Sequence, residues 1–402
     1  MRIILHIDVN SAYLSWTARE LLRNGKRTDI RKGCSAIAGD PSARRGVILA
    51  KSEAAKSCGV VTGESILEAR RKCPGLELYP PDHDLYERCS DELNAVLSRW
   101  SPRIERFSVD ESWLDYTESR ALFGDPLDAA HAIRKAIREE LGFTVNVGVS
   151  TNKLLAKMAS DLRKPDMVHT LFPDEIAEKM WPLPVRELFS VGRVTAKKLE
   201  GVGIRTIGDI AAAQQDFLRA LLGNVQGQTV HEYANGISDA PVIPNEQAER
   251  KGIGNSVTLP SDVTNVRQAE KVLLSLCEKT CSRLRAAGCY TDLVSVTIRP
   301  ADFARRQYGH QRRLPAPLCA TSEVYAVVKE LFREAWKGEP VRLLGVAFGE
   351  IQRDRGGQLD MFAAEGDAPD ETLDRTVDEI RARFGKDAVK RGTLANRPPS
   401  SK

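Results

Sequence analysis

An order of periodicities in the first part of the chain narrows its possible folds more than any single motif. The apolar run Ile3-Ile4-Leu5-His6-Ile7, within a strand pattern over residues 3–9, closes on Asp8. An unbroken apolar run of this length suits a strand covered on both faces. A helical stretch follows at Ala12–Asn24, and a longer amphipathic helix is expected at about Leu85–Trp100. Two short strands come next, Ile104–Val109 and Ser112–Asp115. A helix then runs from about Leu127 to Leu141, with Ala130, Ile133, Ala136 and Ile137 on one face, and Phe143–Val149 reads as a strand. Strand–helix–strand–strand–helix–strand is the split βαβ arrangement, in which Asp8 and Asp110 approach each other at the ends of neighbouring strands.

The turn between the two short strands is Ser108-Val109-Asp110-Glu111. Two adjacent carboxylates at a strand end form an acidic surface turn in many proteins. With Asp8 as a third, they are the donor set that a pair of hard cations needs to bridge phosphates during an in-line displacement. Asp8 and Asp110 are 102 positions apart, so only a folded domain unites them.

The chain has 402 residues, enough for about two to four domains. Beyond Pro165 the pattern is helical to about Gly236. Ser238–Gln247 is polar and Pro-containing, as in an interdomain linker. A second α/β module is expected over 251–352, with strands near Ile253–Leu259, Leu293–Ile298 and Arg342–Gly349. Its helices are placed near Val263–Arg285 and Ser322–Trp336. This module carries 15 Lys and Arg against 10 Asp and Glu, whereas the whole chain is only +4, so the positive excess sits here. Arg353–Pro369 reads as a flexible tail around the apolar island Gln358–Phe362, and Glu371–Phe384 has a charged helical pattern. No apolar run approaches the roughly 18–20 residues of a bilayer span, and no signal peptide pattern opens the chain. The eight cysteines have neither zinc-site spacing nor the look of a disulfide framework, so free thiols in a cytoplasmic protein are expected. The histidines show no ligand spacing.

Three stretches occur in order: His6-Ile7-Asp8-Val9-Asn10-Ser11-Ala12-Tyr13, the Ser-Val-Asp-Glu turn, and Gly148-Val149-Ser150-Thr151-Asn152-Lys153 leading to Lys164-Pro165. With them the chain resembles the Y-family translesion DNA polymerases from Ile3 to the Gln358–Phe362 island. The resemblance implies an α+β multidomain right hand. Its parts are a ferredoxin-like palm (1–10 and 76–165), small fingers (11–75), a helical thumb (166–236), a linker (237–250), an α/β little finger (251–352) and a tail (353–402). It implies two Mg²⁺ ions held by Asp8, Asp110, Glu111 and the Val9 carbonyl, one activating the primer 3′-hydroxyl and the other neutralising the triphosphate. Tyr13 stands at the steric gate that rejects a 2′-hydroxyl. Ser11, Ala12, Lys56 and Lys164 stand at triphosphate contacts. The sequence departs from the family pattern at Asn10, Ala12, Glu53 and Lys56, where Asp, a bulky aromatic, Tyr and Arg are usual; Lys56 lacks the bidentate fork of Arg.

The resemblance also places a helix–hairpin–helix at Ser190–Ile204, with Gly192, Arg193 and Gly203 at DNA phosphates and Phe189-Ser190 replacing the usual Pro-Gly. Arg305, Arg306, Arg312 and Arg313 are a charge cluster that would meet the DNA backbone or simply line a solvated loop. Gln358, Leu359, Met361 and Phe362 resemble a peptide that docks on the replicative sliding clamp. The expected partners are therefore primer-template DNA, deoxynucleoside triphosphates and the clamp. No membrane is involved, and the chain acts as a monomer. Two other readings share part of the pattern. A non-catalytic DNA- and clamp-binding relative would tolerate Asn10, Ala12 and Glu53. A nucleotide cyclase would share the palm but leave the thumb, the basic module and the tail peptide unexplained.

Overall fold

Six consecutive buried residues place β1 (Ile4–Val9) at the middle of its sheet. The computed structural model describes residues 1–42, 44, 46–244, 247, 251–353 and 369–394. These form two units, Met1–Gly39 with Gly46–Ala248, and Asp40–Arg45 with Glu249–Lys402. In the first unit β1 is followed by β2 (Ser35–Ala38), β3 (Ile48–Lys51), β4 (Glu77–Tyr79), β5 (Ile104–Arg106), β6 (Glu111–Asp115), β7 (Val145–Ser150) and β8 (Val168–Thr170). The main sheet runs β5-β6-β1-β7-β8. Its first four strands are antiparallel and reproduce the split βαβ order read from the sequence. β8 adds a parallel edge where a purely helical segment was expected; it is three half-buried residues, too short to show a period.

Two helices cover one face of this sheet. His83–Leu97 is capped by Asp82, which accepts from the Leu85 N–H at 2.9 Å. Pro126–Ala136 is capped by Asp125 and continues into a π turn, Ile137–Leu141. Leu85, Leu93, Leu97, Ala130 and Ile133 share a core with Leu5, Ile7, Val145 and Val147. The helix Lys153–Asp161 lies against the strands at Gly148, where a Cβ would sit 1.9 Å from the Ala156 carbonyl oxygen. Only glycine permits that approach, and it sets how far Lys157 reaches across the sheet.

A smaller sheet, β3-β2-β4, closes with the helices Glu53–Ser57 and Ile66–Lys72 around Ala36, Ile48, Ala55, Val60, Ala69 and Leu76. β2 and β4 are short and were not anticipated from the sequence. Helices including Arg193–Glu200, Ile207–Ala212 and Asn224–Ala234 pack around Leu199, Ile207, Ile210, Leu218 and Val230. The segment expected as a linker begins against this unit, because Glu105 accepts from the Ile243 N–H at 2.7 Å and Val242 is buried.

The second unit is an antiparallel sheet of β9 (Gly252–Val263), β10 (Tyr290–Pro300), β11 (Tyr308–Leu318) and β12 (Val341–Gln352), in the order β11-β10-β12-β9. The helices Val266–Ala286 and Thr321–Ala335 bury Leu273, Leu276, Val328 and Phe332 against Val294, Val296, Ile298, Leu344 and Phe348. β11 carries Arg312, Arg313, Pro315 and Pro317. A charge- and Pro-rich stretch reads as a loop, but at a sheet edge both residue types are tolerated.

The expectation of a flexible tail over 353–402 is corrected for residues 369–394. The helix Pro369–Phe384 is docked through Asp374, which accepts from the Thr321 N–H at 2.6 Å, from Arg285 at 3.1 Å and from Arg391 at 2.7 Å. Arg285 also reaches Asp378 at 2.8 Å.

Candidate active site

The antiparallel register sets Asp8 directly opposite Glu111. Facing residues on adjacent strands project to the same side with Cβ atoms roughly 5 Å apart. The Val9 N–H donates to the Asp110 carbonyl at 3.0 Å, which locks the turn carrying Asp110 beside the end of β1. Ser108 Oγ donates to Asp110 Oδ1 at 2.6 Å. The structure thus joins Asp8, Val9, Asp110 and Glu111 in one corner, the meeting on which their proposed chemistry depends.

Two lysines compensate this corner unequally. Lys164 Nζ donates to Asp8 Oδ2 at 2.8 Å and to Asp161 at 2.8 Å, while Lys157 donates to Glu111. Asp8 is 7% exposed, and burial pushes its carboxyl up to about 6; Lys164 offsets only part of that, and the Glu111 charge adds to it. Burial also pushes Glu111 upward, but His6 and Lys157 outweigh it and hold Glu111 at about 2. Burial would depress Lys164, yet Asp8 and Asp161 win and its pKa is raised. An oxygen-rich corner with a buried carboxylate that one ammonium fails to satisfy is suited to hard divalent cations.

Three contributors escaped the sequence reading. His6, assigned no role there, is fully buried with Nε2 3.4 Å from Glu111 Oε2, and its Nδ1 shares a 2.8 Å hydrogen bond with Ser160 Oγ. Burial holds His6 below its ordinary pKa despite the Glu111 carboxylate. Lys157 spans from helix Lys153–Asp161 to Glu111, with its Nζ within 5.6 Å of the Phe107 ring centre. Asn146 faces Asp8 across β7 and ties down the helix end, donating to the carbonyls of Ser160 at 2.9 Å and Arg163 at 2.6 Å. Only the i, i+4 relation of Lys157 to Asp161, just before Lys164, was visible in the sequence.

The helix Ala12–Arg23 starts immediately beyond the corner, and its N-cap, Ser11, makes no side-chain capping bond. First-turn N–H groups therefore stay available to an anion, with Ser11 exposed and Ala12 buried. Tyr13 is half-buried, stacked on Tyr86 with ring centres 4.2 Å apart and edge-on to His83 at 6.0 Å. Burial, and after it the Asp110 charge, raise its pKa. Lys56 is exposed and lies 3.6 Å from Glu53, the partner that turns this departure from the usual Tyr away from open repulsion.

The family model described as impB/mucB/samB matches residues 7–161, its C-terminal domain matches 250–361, and the IMS family HHH motif matches 173–204. DNA polymerase IV of Clostridium acetobutylicum is 44% identical over 394 residues, covering 98% of each chain. This chain belongs to the DNA polymerase IV family. DNA polymerase IV of Acetivibrio thermocellus is 38% identical over 397 residues, covering 98% of this chain and 97% of its own. A solved Y-family DNA polymerase chimera superposes with a TM-score of 0.75 at 24% identity, covering 88% of this chain and all of the chimera. That likeness fixes the fold as that of the Y-family polymerases, with a separate antiparallel little-finger sheet at its C-terminal end.

As a member of the DNA polymerase IV family, the chain accommodates its unusual Asn10 through a hydrogen-bond network. Asn10 Nδ2 donates to Asn146 Oδ1 at 3.1 Å, and Asn10 Oδ1 accepts from Thr144 at 3.0 Å and from the Asp166 N–H at 2.9 Å. The last bond anchors the turn that sets Lys164 on Asp8. In the hairpin, Ser190 takes a left-handed φ of 76° in place of the usual Gly, while Phe189 packs edge-on to Phe107 at 5.9 Å. Gly192 and Arg193 are exposed at the start of helix Arg193–Glu200, and Gly203 turns with φ of 87°.

In the second unit Arg312 pairs with Glu330 and Glu334 at 2.6 Å each, Arg313 pairs with Glu350, Arg305 lies 3.8 Å from Asp302, and Arg306 is exposed. Gln358, Leu359, Met361 and Phe362 lie outside the described residues. No helix among the described residues is long and apolar enough to cross a membrane.

Proposed function

We propose that the chain adds deoxynucleotides to a primer 3′-end at the corner formed by Asp8, Asp110, Glu111 and the Val9 carbonyl, with Mg²⁺ as its metal. The facing of Asp8 and Glu111 across adjacent strands, with Asp110 locked beside them, carries this reading. Two Mg²⁺ ions bound there supply activation of the 3′-hydroxyl and neutralisation of the triphosphate. Lys164, the Lys56 ammonium and the uncapped N–H groups at Ser11 and Ala12 receive the phosphates, while Tyr13 presents a fixed ring to the sugar and excludes a 2′-hydroxyl. His6 and Lys157 keep Glu111 ionised and oriented.

The parts of the hand follow: palm 1–10 and 76–165, fingers 11–75, thumb 166–236, little finger 251–352. Gly192, Arg193 and Gly203 would touch one stretch of DNA phosphates; Arg305, Arg306, Arg312 and Arg313 would touch another, exchanging carboxylates for phosphates, so that binding weakens with salt. Fidelity is low where few groups enclose the new pair, and damaged templates are accepted. The sequence offers no second carboxylate-rich module for proofreading. Gln358–Phe362 would tether this cytoplasmic monomer to the sliding clamp. Replacing Leu359 and Phe362 by Ala should weaken clamp association in a pull-down and spare distributive synthesis; undiminished binding removes that assignment.

Primer extension with the purified protein tests the core reading. Synthesis that disappears in Asp110→Ala supports it, and equal inactivity of wild type and variant leaves only DNA binding.

A further inference from the structure

Three cysteines far apart in the sequence meet beside the small sheet. Cys34 precedes β2, Cys58 closes the helix Glu53–Ser57, and Cys73 closes the helix Ile66–Lys72. Their Sγ atoms all lie within 4.8 Å of one another. The spacing had pointed away from a metal site because it lacks a Cys-x-x-Cys step, but three separate chain ends deliver the thiols. Each backbone is held: the Cys34 carbonyl accepts from the Glu77 N–H at 2.9 Å, the Cys58 N–H donates to Ala54 at 3.2 Å, and the Cys73 N–H donates to Ala69 at 2.9 Å.

Burial grades across the cluster. Cys73 is buried, Cys34 half-buried and Cys58 exposed, so the group opens to solvent on one side. Burial, reinforced by the two neighbouring thiols, pushes Cys73 up to about 12. Cys277 and Cys281 provide the contrast: both are buried in the apolar core of the second unit and belong to no three-ligand group among the described residues.

We propose that Cys34, Cys58 and Cys73 form a three-thiolate site for a thiophilic divalent cation of the Zn²⁺ class. Tetrahedral zinc with Zn–S of about 2.3 Å sets its sulfurs roughly 3.8 Å apart, so closure from the observed cluster takes about 1 Å or less. A disulfide needs only two sulfurs brought to bonding distance, whereas here three converge and none is left outside. On binding, three S–H bonds release protons to solvent and three metal–sulfur bonds form. Water takes the fourth position on the Cys58 side. The ion would join both short helices to the small sheet, bracing the helix that carries Lys56. The proposal stands independently of the polymerase reading.

The test uses full-length protein, reduced and stripped of metal, with Co²⁺ as the probe. The expected result is one cobalt per chain with a near-ultraviolet thiolate charge-transfer band, displaced by Zn²⁺, and protection of Cys58 from alkylation. Cys58→Ser, at an exposed position, weakens binding at least about 10-fold, while Cys277→Ser leaves it unchanged. Absence of the band in wild type, or an unchanged cobalt affinity in Cys58→Ser, overturns the site. So does loss of two of these thiols to a disulfide in the unreduced protein, if metal then fails to bind after reduction.

Discussion

The two sheets are built from the same run of elements, strand–helix–two strands–helix–strand, but the chain threads them differently. In the first, the opening strand lies between the third and fourth, β6-β1-β7; in the second it lies at the edge, β11-β10-β12-β9. A central opening strand brings Asp8 face to face with Glu111. An edge opening strand brings no such pair together, and the middle of the second sheet shows Ser295, Thr297, Gly345 and Ala347. Each unit also buries charge, to opposite ends. Around Arg285, Asp374, Asp378 and Arg391 every carboxylate has a guanidinium partner. Around Asp8 and Glu111 the compensation is uneven, leaving one carboxyl near 6 and the other near 2. A balanced knot holds a helix; an unbalanced corner is ready for a ligand.

The largest expected effect that separates these roles is on rate. Asp110→Ala should reduce primer extension by about 10³-fold or more, several kcal/mol of lost charge stabilisation, with an unchanged melting curve. A parallel fall in melting temperature would make Asp110 a structural residue. Asp374→Ala should do the reverse. It leaves a buried guanidinium short of a partner and destabilises the second unit by about 3–5 kcal/mol in denaturant unfolding, with little change in rate per folded molecule. A stable Asp374→Ala protein would erase the contrast.

Acidity provides a third separation, measured on metal-free protein. Asp8 has a folded pKa of about 6, above its ordinary 3.8, so the folded state binds its proton more readily. This group weakens the fold at neutral pH, and stability returns as pH falls through 6 toward 4. Glu111 has the opposite sign: its stabilisation is present above 4.5 and is lost as pH falls toward 2. Between about pH 7 and pH 4, wild type should therefore gain ~2 kcal/mol relative to Asp8→Asn. A flat difference would show that burial does not control Asp8. A smaller effect is expected at the sugar. Tyr13→Ala should relax discrimination against ribonucleotides by ~10–100-fold, the range of a removed steric clash, and unchanged sugar preference would return Tyr13 to the core.

Much of this was legible in the chain. β1 announced itself as an unbroken apolar run, and the split βαβ order followed from alternating periods. What stayed hidden was non-local. Lys157 and Asn146 gain meaning only once Gly148 admits a helix onto the strand, and His6 looked like one apolar-strand residue among several. β11 was masked by arginines and prolines that only an edge strand tolerates. The three thiols were invisible because their spacing reflects three different chain ends; the helical pattern over Glu371–Phe384 was legible, but its docking was not, because its buried acidic residues look like solvent-facing ones.

The most direct test is a crystal structure with primer-template DNA, an incoming deoxynucleotide and Mn²⁺, in which anomalous scattering counts and locates the ions. The account predicts two peaks within coordination distance of Asp8, Asp110 and Glu111, with Lys164 moved from Asp8 toward the triphosphate. Peaks elsewhere, or Lys164 still seated on Asp8 with nucleotide bound, would contradict it.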